Sequence, residues 1–159
     1  MGRASVKQNK NAYQLARERM GLTREAACEK LGTVSGSRLE RIENGSKKNI
    51  APEDVVRMAE CYEAPGLCNY YCTNECAIGR AYGQRIREEA GSALTLKLLS
   101  ALNDLASDRD RLIAIMADGR IAKDEYPDFK AISEHLERMS LYIESLRVWT
   151  RGQKTEEQA

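Results

Sequence analysis

Thr23 to Gly45 reads TREAACEKLGTVSGSRLERIENG, and the order of capping, small and apolar residues in it decides the fold class. Thr23 is suited to N-cap a helix, and Glu25 puts a negative charge in the first turn, where the helix dipole favours one. Ala27, Cys28 and Leu31 make one small apolar face, which permits close packing. Gly32 suits the left-handed residue that closes such a helix. Thr33 and Val34 carry the chain to Ser35, a second N-cap. In the segment that follows, Leu39 and Ile42 are spaced for a core, which turns Gly36, Ser37, Arg38, Glu40 and Arg41 outward. The stretch predicts two short helices joined by a tight polar turn.

On these residues the stretch resembles the Cro/repressor-type helix-turn-helix family, also called the XRE family. In that family LTxEEAAxxLG, a Ser-led second helix and a closing RIENG recur. The match lies at Leu22, Thr23, Glu25, Leu31, Gly32, Ser35, Leu39 and Arg41 to Gly45. It extends from about Asn11 to Tyr62, with Tyr13, Leu15 and Ala16 on a first helix and Val55, Val56, Met58 and Ala59 on a later one beginning at Pro52. Two departures stand out: the turn has one extra residue, Thr33 or Val34, and Arg24 stands where the family often has Gln.

The resemblance implies double-stranded DNA as partner, with the second helix of the motif in the major groove. Ser37, Arg38, Glu40 and Arg41 would then read base edges, Arg by a bidentate bond to guanine and Glu by accepting from cytosine. Arg24, Ser35, Asn44, Lys47 and Lys48 would hold phosphates, which fixes register and carries little sequence information. The plainer reading leaves Arg38 and Glu40 as a solvated helix face, with Arg41 paired to Glu43 or Glu40. Charge favours the first reading. Residues 1–50 hold 11 Lys and Arg against 5 Asp and Glu, whereas residues 51–159 hold 14 against 19. A basic head on an acidic remainder is expected where one end faces phosphate, and such binding weakens steeply with salt.

The 159 residues, 42% hydrophobic and 31% charged, fit one moderate globular domain or two small ones. Three prolines, one phenylalanine and no alternating β-branched run predict an all-α fold. No apolar run reaches the length of a membrane span, and the basic start MGRASVKQNK leads into a polar helix rather than a signal-peptide core. The expectation is a cytoplasmic protein with no membrane partner.

Beyond residue 64 a short helix is expected near Ile78, Tyr82 and Ile86, stopping at Gly91, with Ser92 capping the next. In that helix Leu98, Leu102, Leu105, Leu112 and Met116 follow a four-three spacing, interrupted at Arg109. In the last helix Phe129, Ile132, Leu136, Met139, Ile143 and Leu146 form a regular heptad seam. Gly119 can close the first of these helices, and Asp124 or Pro127 can open the second, so an antiparallel hairpin follows. A hairpin has little core of its own, and these eleven residues are the expected surface for homodimerisation. The alternative is that both stripes are satisfied within one chain. The four expected parts are a helix-turn-helix DNA-binding domain (1–64), a Cys-rich helical connector (65–91), the hairpin (92–151) and a flexible tail (152–159).

Cys61, Cys68, Cys72 and Cys76 cluster in a chain whose one other cysteine is Cys28. Were residues 67–76 helical, Cys68, Cys72 and Cys76 would share one face. Buried structural thiols without a cofactor are the preferred reading. Ligation of zinc or an iron-sulfur cluster, and reversible disulfide switching, are the others. Residues 117–125 imitate the later half of a calcium loop, but Ala114 and Met116 stand where its first carboxylates belong.

No phosphate loop, Ser elbow or HExxH occurs, and His135, the only histidine, is expected on a helix surface, so no enzyme is expected. The sequence reads as a homodimeric, sequence-specific transcriptional regulator, a repressor acting on a palindromic operator. Two alternatives are an antitoxin-like protein whose C-terminal helices grip a protein partner, and a regulator sensing through Cys-bound metal.

Overall fold

A computed structural model of the chain describes residues 9–46 and 49–153, and these are helical with no strand among them. They fall into two compact units, one ending at Arg85 and the other spanning Ile86–Gln153. No helix of the described residues is long and apolar enough to cross a membrane. Lys47 and Lys48 lie outside the described residues, as does the expected tail apart from Gly152 and Gln153.

The first unit holds α1 (Ala12–Arg19), α2 (Arg24–Leu31), α3 (Gly36–Glu43), α4 (Pro52–Cys61), α5 (Gly66–Asn74) and α6 (Ala77–Tyr82). The expected caps are in place. The Thr23 side chain accepts from the Ala26 N–H, and the Ser35 side chain accepts from the Arg38 N–H. Gly32 closes α2 with φ at +65°, a conformation that costs glycine alone nothing. The core gathers Tyr13 and Ala16 of α1, Ala27 and Leu31 of α2, Leu39 and Ile42 of α3, and Val55, Met58 and Ala59 of α4. Leu15 and Val56, which the sequence put with the apolar faces, point outward at 44% and 46% exposure.

Residues beyond 64 do not form a separate connector. Leu67 of α5 is buried in the same core, and Cys68, Tyr70 and Tyr71 pack against it. Tyr13 meets Tyr70 edge to face and donates its hydroxyl to Glu75 at 3.0 Å, so α5 closes over α1. Helix α5 also stops at Asn74, because Cys76 is the extended residue that caps α6. Cys76 is thereby out of helical phase with Cys68 and Cys72, and the shared face expected of the three does not form. A Cβ at Gly79 would collide with the Cys72 carbonyl, so the α5–α6 turn is a close backbone contact.

In the second unit α7 (Gly91–Met116) and α8 (Tyr126–Arg151) form the antiparallel hairpin. Gly91 opens α7 instead of stopping the helix before it. Ala90, not Ser92, occupies the N-cap, and Ile86 lies outside α6. Trp149 explains Gly91: a Cβ there would sit 2.6 Å from the indole ring. The hairpin seam differs from the expected stripe. On α7 the buried residues are Gly91, Leu94, Ala101 and Ile115, with Leu98, Leu105, Asp108 and Leu112 half-buried between them. This row keeps the three-four spacing of a coiled coil. Leu102 and Met116 stay 45% and 50% exposed. On α8 Ile132 is buried and Phe129, Met139 and Leu146 are half-buried, while Leu136 and Ile143 remain exposed. The expected dimer surface is therefore divided, most of it spent inside one hairpin. His135 is half-buried, 27% of its side chain exposed, with its Nδ1 2.5 Å from Asp108 Oδ2 across the seam.

Candidate nucleic-acid interface

The motif helices are held at fixed positions by charge as well as by apolar packing. Glu43, the acid of RIENG, is 1% exposed, and Arg17 of α1 grips both of its oxygens at 2.5 and 3.0 Å. Arg17 also donates to the Leu22 carbonyl, and its hydrogen bond to Glu43 holds its guanidinium more firmly charged than usual. Arg24, at the start of α2, reaches the same carboxylate at 2.8 Å and lies 3.4 Å from Glu40. Asn11 caps α1 and donates to the Ile42 carbonyl at 2.7 Å, tying α1 to the end of α3. These bonds brace α1, α2 and α3 as one rigid body around a fully desolvated acid.

Ser37, Glu40 and Arg41 are the exposed side chains of α3, as its apolar spacing implied. Arg41 Nε rests on the Ser37 carbonyl at 3.3 Å, one turn back on the same helix. Ser35 and Ser37 hydroxyls lie 3.3 Å apart at the helix start, where free N–H groups and the dipole favour anions. Arg38 departs from the expectation. It is half-buried and forms an ion pair with Asp54 of α4, a carboxylate 5% exposed, so it leans toward the protein rather than outward. Arg24 is likewise shared, its Nε on Glu43 and its Nη1 toward Glu40 and solvent. Asn44 is exposed at the end of α3, beside Gly45 and Ser46. Lys47 and Lys48, the expected phosphate contacts at this exit, lie outside the described residues.

The buried pair Arg17–Glu43 and the anchor Asp54 were missed at the sequence level. One signal existed: Arg17 follows Tyr13 by four residues and Ala16 by one, so it lies in the buried phase of α1. A charge in that phase demands a buried partner.

The cysteines do not converge. All five are free thiols, and burial raises the pKa of Cys28 and Cys61, which disfavours the thiolate that metals and oxidants need. Among the described residues no three His, Cys, Asp or Glu side chains are gathered as a metal site. Cys61 lies with Lys30, Leu31, Arg57 and Glu60 around an open groove of about 430 Å³ between α2 and α4.

Residues 14–67 match the family model of a helix-turn-helix domain. No curated protein and no solved structure matches the chain.

Proposed function

We propose that this chain, whose residues 14–67 are a helix-turn-helix domain, is a sequence-specific DNA-binding transcriptional regulator and not an enzyme. It acts as a homodimer on a palindromic operator and represses by occupying it. The observation that carries this reading is the α3 surface. Ser37, Glu40 and Arg41 stand exposed on a helix whose position is locked by a buried ion pair, while the charges beside them are already committed to the scaffold. Rigid presentation of a few polar side chains is what groove reading requires. The RIENG closure and the basic first fifty residues support the same conclusion.

The test is selection of duplexes from a random pool by the full-length protein, followed by affinity measurement at several salt concentrations. A two-fold symmetric consensus, bound at least about a thousandfold tighter than scrambled duplex, is expected, with log affinity falling linearly in log salt. Failure of any sequence to enrich would overturn the reading. Enrichment of a single asymmetric half-site would remove the palindrome and keep DNA binding.

A further inference from the structure

Leu99, Leu102, Ile113 and Met116 of α7, with Leu136 and Ile143 of α8, keep between 37% and 62% of their surface exposed although the hairpin seam is complete without them. On α7 these positions follow a second three-four row, with Ala106 and Arg109 filling its gap. At 100° per residue that row lies about a quarter-turn from the seam row. The same offset holds on α8. Because the helices run antiparallel, equal offsets turn both second rows toward the same side of the hairpin. The register confirms the juxtaposition: Asp104 pairs with Arg138 at 3.8 Å, Asp108 with His135 at 2.5 Å and Gly91 with Trp149, which sets Leu99 level with Ile143 and Leu136 level with Ala106, one turn along α7 from Leu102.

The two edges of the seam are chemically unlike. On one edge charges bridge the helices, Asp104 to Arg138 and Arg111 to Asp128 at 2.7 Å, with Lys97 above the Tyr142 ring. The other edge carries the exposed apolar side chains, interrupted by Arg109 on α7 and Ser140 on α8. Helices with two apolar rows a quarter-turn apart are the building unit of four-helix bundles, in which each helix contacts two neighbours.

We infer that this face binds a second copy of the same chain, the two hairpins closing into a four-helix bundle. The stretch from Leu99 to Met116 is about 25 Å long, and two helices side by side are roughly 20 Å across. That is about 500 Å² in projection, and with side-chain relief it approaches the roughly 800 Å² per partner of a stable dimer. Charge also suits a two-fold partner. Arg109 is the one charge within the α7 row and stands near the middle; its Nε donates to the adjacent Asp110 at 2.9 Å, a solvent-facing pair with side chains 73% and 83% exposed that a second copy could exchange. A two-fold axis lying between the hairpins and crossing α7 there sets α7 antiparallel on its counterpart, with Arg109 of each copy against Asp110 of the other. This surface deepens the homodimeric reading above, and its test contains no DNA, so its failure is separable from failure of DNA recognition.

The test is sedimentation of the full chain at concentrations from about 1 to 100 µM. Wild type is expected at twice the 17.9 kDa chain mass. Leu102→Glu and Ile113→Glu are each expected to raise the dimer dissociation constant at least tenfold with helical circular dichroism unchanged. Leu102→Gln should read the same loss if glutamate costs helicity. Ser100→Glu, on the side of α7 away from the row, should leave the dimer intact. Arg109→Asp and Asp110→Arg should each weaken association about threefold or more, and the double swap should restore it. A monomeric wild type at 100 µM overturns the proposal, as does a dimer unaffected by both apolar substitutions. So does a monomer that acquires stoichiometric mass only with a different protein, the outcome expected of an antitoxin.

Discussion

Arg17 donates to both carboxylate oxygens of Glu43, Nε to Oε1 at 2.5 Å and Nη2 to Oε2 at 3.0 Å, where α1 packs on α3. The side chain of Glu43 has no exposed surface and that of Arg17 keeps 7%, so removal of either partner strands the other without solvent. Glu43→Ala is expected to cost about 3–5 kcal/mol of unfolding free energy, read from urea denaturation. The double variant Arg17→Met, Glu43→Leu should recover much of that loss, because an apolar pair of similar volume needs no desolvation of charge. A double variant as unstable as Glu43→Ala would show that the Arg24 contact to Glu43, not the pair, holds the site together.

The different surroundings of Arg41 and Arg38 predict different phenotypes. Arg41→Ala should cost about 1–3 kcal/mol of discrimination between selected and scrambled duplex while leaving thermal stability unchanged. Arg38→Ala should lower stability by about 1–3 kcal/mol as well, because it leaves Asp54 buried without its ion pair. Fluorescence anisotropy against both duplexes, with melting curves of each variant, separates the two. An Arg38→Ala protein of undiminished stability would return Arg38 to the outward, base-reading role.

Gly91 lies under Trp149, the chain's only tryptophan, which makes the contact directly observable. Gly91→Val should displace the indole, shift its emission to the red and destabilise the hairpin by about 1–3 kcal/mol. An unchanged emission maximum would mean that the ring and the start of α7 separate without cost.

Glu75 is expected to make stability depend on acid pH. Burial raises its pKa above the ordinary 4.5, partly offset by the hydrogen bond from Tyr13. A carboxyl raised in the folded state stabilises the fold below its unfolded pKa, and that contribution is lost as pH rises through the folded value. Glu75→Gln keeps an acceptor for the Tyr13 hydroxyl and removes the charge. It should raise Tm at pH 7 by about 3 °C and give no gain at pH 4. Equal gains at both pH values would exclude desolvation of the carboxylate as the cause.

Much of the head was legible because its signals are local. Thr23, Gly32 and Ser35 act through their own backbone and the next turn, so their identities place the ends of α2 and the start of α3 without reference to the rest of the chain. The same holds for the outward turn of Ser37, Glu40 and Arg41, which follows from Leu39 and Ile42 facing inward. Gly91 and Ala101 were not legible: both are seam residues, yet a search for large apolar side chains passes over small ones, and it chose Leu102 and Met116 in the neighbouring row instead. A helix with two apolar rows has no unique stripe in sequence.

By itself, the sequence determined an all-α chain, a helix-turn-helix head with its caps, turn and exposed polar face on the second motif helix, and two long helices able to pair, because these depend on spacing along one helix or on contacts within a few residues. Only the tertiary structure decided that Glu43 is a buried anion held by Arg17, that Asp54 draws Arg38 off the outer face, that α5 belongs to the head, and which of two rows closes the hairpin. Each of those depends on which distant side chains meet once water is excluded, and the cost of burying a charge or leaving an apolar row uncovered is set by the partner, not by the residue.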